Sequence, residues 1–71
     1  MAMPTNMGIK DLVCVNVFVD GNYQYQEPGM IVSKTGDDTF DVMVFGRNGQ
    51  TRFIQNMKAG NNDGEFTTDP R

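Results

Sequence analysis

The chain has 71 residues, one Cys, no His and a net charge of −3. At that length it forms one domain with one small core. Without His, and with Cys14 alone, no internal disulfide, Cys/His zinc site, Ser/His/Asp triad or Cys/His nucleophile can be assembled.

Six Lys and Arg are dispersed among nine Asp and Glu. This argues against non-specific nucleic-acid binding, which draws most of its affinity from concentrated cationic charge. The N-terminus lacks a basic start followed by an apolar core. No apolar run reaches the roughly 20 residues that a membrane span requires. A soluble, cytoplasmic protein is expected, and a lone thiol agrees with a reducing compartment.

In chain order, residues 1–9 carry Pro, Asn and Gly without periodicity and read as a flexible arm. Residues 10–19 give the longest strand signal. Val13, Val15, Val17 and Val19 fall on one face, and Leu12, Cys14, Asn16 and Phe18 on the other. Both faces are largely apolar, which predicts a strand buried on two sides. Asp20-Gly21-Asn22 is a turn signal. Tyr23-Gln24-Tyr25-Gln26-Glu27 then alternates as a short edge strand or ordered loop, and Pro28-Gly29 is expected to stop it. A short strand follows at residues 30–34, a Gly/Asp turn at 35–38 and a further strand at 39–46.

Asn48-Gly49 is the strongest local signal, because both residues accept the positive φ of a two-residue hairpin turn. The return strand is expected at residues 50–57, with room for one helical turn near 55–58. A polar loop spans 60–64, a last short strand 65–68 and a tail 69–71. No segment longer than about ten residues carries a 3.6-residue apolar period, so almost no helix is expected.

A two-residue loop fixes a register. Arg47 faces Gln50, and the pairs Phe45/Arg52, Val44/Phe53, Met43/Ile54 and Phe40/Met57 follow. One face then holds Phe40, Val42, Val44, Phe53 and Met57, the natural core. The other holds Met43, Phe45 and Ile54, ringed by Asp41, Arg47, Arg52 and Asn56. Either another segment covers that second patch, or it is exposed and has the anatomy of a protein interface.

Little in the sequence supports catalysis. Asp37, Asp38 and Asp41 read as turn formers, and residues 61–65 lack the ligand spacing of a calcium loop. Gly46-Arg47-Asn48-Gly49 lies between strands, where a phosphate loop would open a helix. Cys14 reads as a small buried hydrophobe. Neither a cofactor nor a metal is expected. Tyr23 and Tyr25 could lie over the sheet as ordinary edge residues or form a stacking platform.

The succession Asp11-Leu12-Val13-Cys14-Val15, Asp20-Gly21-Asn22-Tyr23, Pro28-Gly29-Met30-Ile31-Val32 and Phe40-Asp41-Val42-Met43-Val44-Phe45-Gly46 resembles the SH3-like small barrels, especially their Tudor-like group, over residues 10–57. The resemblance implies an all-β, SH3-like antiparallel barrel of four or five strands over residues 10–68, with flexible termini. It also implies readers of methylated residues, which here nominates Phe18, Tyr23 and Phe45 as cage aromatics. The Phe45-Gly46-Arg47-Asn48-Gly49 ending departs from the group's aromatic-Gly-Asn pattern. A free-standing barrel this short is also similar to accessory, assembly or host-inhibitor proteins of bacteriophages.

The function expected is therefore a non-enzymatic protein-interaction module. Its protein-binding residues would be Met43, Phe45, Ile54, Arg52, Arg47, Tyr23 and Tyr25, and its partner another protein or a second copy of the chain. The alternative is single-stranded nucleic-acid binding through Tyr23, Tyr25, Arg47 and Arg52.

Overall fold

A computed structural model describes residues 9–70. It contains five strands: β1 (Leu12–Val19), β2 (Asn22–Lys34), β3 (Thr39–Phe45), β4 (Thr51–Lys58) and β5 (Phe66–Thr67). They form a single antiparallel sheet in the order β4-β3-β2-β1-β5, with no helix among the described residues. The helical turn foreseen near residues 55–58 is strand instead. The expected N-terminal arm, residues 1–9, lies outside the described residues except for Ile9, as does Arg71 of the expected tail.

The sheet buries one face. Val13, Val15, Ile31, Phe40, Val42, Val44, Met57 and Phe66 make up the core, with Ile54 and Ala59 packed against it. Phe40 and Phe66 meet edge to face, their ring centroids 5.8 Å apart. Continuous pairing does not close the sheet. Its two ends approach at one isolated bridge between Ala59 and Phe66, where the Gly60 N–H donates to the Phe66 carbonyl at 2.9 Å.

Contrary to the sequence expectation, β1 is not apolar-buried on both sides, since Leu12 is 72% exposed. On that outer side Asn16 alone is fully buried, under the segment after β4, while Cys14 and Phe18 are half-buried. The Asn16 amide donates to the carbonyls of Gly60 and Asn62, and its oxygen accepts from Gln26. Chain reversal after β4 is thus held by a buried polar side chain, which is stable because its groups are paired.

Pro28-Gly29 does not stop a strand, because β2 runs through it. Pairing of β2 with β3 begins only at Gly29↔Val44, so the missing N–H of Pro28 costs no ladder bond on that side. Gly29 fits a close approach there: a Cβ would stand 3.1 Å from the Met43 carbonyl oxygen and 3.1 Å from Val42, so the neighbours would have to give by a few tenths of an ångström.

The β3–β4 connection also differs from the two-residue turn. Gly46 N–H donates to Gln50 O at 2.6 Å and Gly49 N–H to Gly46 O at 3.1 Å. Gly49 has φ +85°, whereas Asn48 is not left-handed. A turn through Arg47 and Asn48 followed by a left-handed Gly lengthens the loop and moves the register by one residue. The observed pairs are Phe45↔Thr51, Val44↔Arg52, Met43↔Phe53 and Val42↔Ile54. A bulge near Asn56, whose φ is +58°, then restores Phe40↔Met57 as expected from the sequence.

Candidate functional site

The register shift redistributes the expected interface residues. Ile54, placed by sequence on the outer face, pairs with Val42 and packs against the core. Phe53, expected in the core, turns outward and is 54% exposed. Arg52 likewise moves from the outer face to the rim of the inner one, opposite Val44. Met43 and Phe45 stay on the outer face, as expected.

Cross-strand partners share a face, and on the outer face they form a continuous row. Leu12 opposes Met30, Met30 opposes Met43, and Met43 opposes Phe53. Four strands contribute one apolar side chain each, across about 14 Å at ordinary strand spacing. The neighbouring row adds the pairs Cys14↔Pro28 and Phe45↔Thr51. None of these eight residues is charged. Of the large apolar side chains among them Leu12 and Phe53 are the most exposed, and the two methionines between them are half-buried.

A second feature lies at the inner rim, where β2, β4 and the β3–β4 loop meet. Glu27, only 4% exposed, opposes Val15 on the inner face. Its Oε1 accepts from Arg52 Nη2 at 2.7 Å, and its Oε2 accepts from the Arg47 backbone N–H at 3.3 Å. The Arg47 guanidinium lies over the Tyr25 ring, 4.5 Å from its centroid. With Asn48 and Gln50 these residues line an open cleft of about 500 Å³. Gly46 allows the arrangement, since a Cβ there would stand 2.9 Å from Gln50 O and 3.5 Å from Arg52 Nη1.

The hydrogen bond from Arg52 holds the Glu27 carboxyl below its ordinary value. Burial opposes this, and the charge of Arg52 and the backbone N–H and charge of Arg47 reinforce it. Arg52 is correspondingly raised, chiefly by the same hydrogen bond. Both groups are therefore charged over the neutral range.

The two tyrosines do not form one platform. A register shift between Val17 and Phe18 pairs Tyr25 with Val17 and Tyr23 with Phe18, so they face opposite sides of the sheet. Tyr23 meets Phe18 edge to face at 6.0 Å. Phe45 does not join them: it lies near the level of Cys14, about 13 Å along the strands from Phe18.

Sequence reasoning missed Glu27, Leu12, Met30 and Phe53. The signal for Glu27 was its two-residue spacing from Tyr25, which puts both on the inner face. Asp41 is engaged structurally, accepting from Ser33 Oγ and from the Asn56 N–H. Among the described residues, no group of three or more His, Cys, Asp or Glu is placed to hold a metal. No helix there is long and apolar enough to cross a membrane. Comparison with protein-family models, curated proteins and solved structures finds no match.

Proposed function

We propose that this protein is a non-enzymatic interaction module that docks an apolar surface of a partner protein on the outer face of its sheet. The observation that carries the reading is the uncharged row Leu12–Met30–Met43–Phe53, which spans four strands. Apolar, charge-depleted patches centred on aromatic and Met side chains are typical of interface cores. Methionine also lets such a surface adapt to its partner. An SH3-like barrel remains the finer reading of the architecture, supported by the strand order and the Ala59–Phe66 bridge.

The alternative of single-stranded nucleic-acid binding has less support. Tyr25, Arg47 and Arg52 do converge, but Glu27 neutralises part of their charge, Arg47 covers the Tyr25 ring, and Tyr23 faces the other side.

The test is capture from an extract of the source organism with three immobilised proteins: wild type, the double variant Met43→Ser/Phe53→Ser and Arg47→Gln. Circular dichroism would verify that each is folded. A specific protein lost from the double variant but still retained, fully or in reduced amount, by Arg47→Gln supports the reading. Equal retention by all three, or no specific protein on any, contradicts it.

A further inference from the structure

The inner-rim cleft is built from charged groups that the outer face does not use. Arg47 and Arg52 supply two positive charges there and Glu27 one negative, so the cleft carries a surplus of one positive charge in a chain of net charge −3. Burial and two hydrogen bonds fix the carboxylate. Through it, the loop bearing Arg47 and the strand bearing Arg52 are held in place. Of the five N–H donors on the Arg52 guanidinium, the bond to Glu27 uses one, and the side chain remains 47% exposed. The Arg47 guanidinium lies over the Tyr25 ring, 4.5 Å from its centroid, and both line the cleft. One further monoanion would balance the cluster. Arginine forks match the planar geometry of a carboxylate.

We infer that the cleft lined by Tyr25, Arg47 and Arg52 is a carboxylate-binding site that receives an acidic side chain or a chain terminus of the partner protein. This rests on the reading of the chain as a protein-interaction module, and it adds a polar anchor at the rim to the apolar outer face. Glu27 is a positioning residue: it holds both arginines and does not contact the ligand's carboxylate.

The experiment uses small probes, so that its failure is separable from failure of the outer-face docking. Amide and arginine side-chain resonances of the full chain would be followed by NMR at constant ionic strength. The titrants are acetyl-Ala-Glu-Ala-amide, acetyl-Ala-Ala-Ala with a free terminus, inorganic phosphate and chloride.

Saturable shifts confined to Arg47, Asn48, Gln50 and Arg52 with either peptide, weakened about tenfold in Arg47→Gln, are the expected result. Whichever peptide binds more tightly identifies the source of the carboxylate. Arg47→Gln keeps the Arg52–Glu27 pair and so preserves the fold. Three results would each overturn the assignment: shifts that match those with chloride, tighter saturation by phosphate than by both peptides, or binding unaffected by Arg47→Gln.

Discussion

Replacing Arg52 with Met keeps much of the side chain's length but removes the guanidinium that pairs with Glu27 at 2.7 Å. The carboxylate, 4% exposed, would then keep only the Arg47 backbone N–H as a hydrogen-bond donor. Breaking a fully buried pair costs about 3–5 kcal/mol. Here the Arg52 side chain is 47% exposed, and solvent reaching it reduces that to about 2 kcal/mol at pH 7.

The pH dependence carries the sign. The folded-state pKa of Glu27 is lowered, so its contribution is fully present above the unfolded value near 4.3. It is lost as the pH falls through the folded value. In the variant the largest cause of that lowering is gone while burial and the weaker Arg47 contributions remain, so its stability should fall much less with this carboxyl as acid is added. The gap between the two proteins therefore narrows from pH 7 to pH 3. The chain has no Trp, so thermal unfolding would be followed by far-UV circular dichroism. A gap of about 2 kcal/mol corresponds to roughly 8–16 °C for a domain of this size. Curves that stay parallel from pH 7 to pH 3, or a shift below about 2 °C at pH 7, would refute the reasoning.

Two other substitutions test the packing. Ile54→Ala should cost about 2 kcal/mol and Phe53→Ala less than about 1 kcal/mol, because Ile54 packs on the core while Phe53 is 54% exposed. Urea unfolding of the pair checks this, and the reverse order would restore the two-residue hairpin register. Asn16→Ala leaves the Gly60 and Asn62 carbonyls without their side-chain donor. It should cost about 2–3 kcal/mol, with amide exchange accelerating first at Gly60, Gly64 and Glu65. Uniform acceleration across the sheet would argue against a local role.

Much of the sheet is legible in the sequence because alternation and turn chemistry act over a few residues. Valine at every second position gives β1, and the Gly/Asp turns around Gly21 and Gly36 separate β1, β2 and β3. Register is different in kind. Asn48-Gly49 suits a two-residue turn, but it also suits a longer turn in which only Gly49 is left-handed, and the two place Phe53 and Ile54 on opposite faces. The bulge at Asn56 then conceals the difference by returning Met57 to Phe40. The rim cleft depends on a pairing across 25 positions, Glu27 with Arg52, which no local pattern encodes. Arg47, Arg52 and Tyr25 were identifiable as residue types with binding chemistry, but the carboxylate that gathers the two arginines was not.

The central claim is that the outer apolar row docks a partner protein. Isothermal titration of the captured partner against wild type and Phe53→Ser, at 50 and 200 mM salt, tests it most directly. An exposed aromatic anchor should account for about 2 kcal/mol, so affinity should fall roughly 30-fold in the variant and change less than about threefold with salt in the wild type. Affinity unchanged by Phe53→Ser, or a steep loss with salt of the kind that counterion release produces, would contradict it.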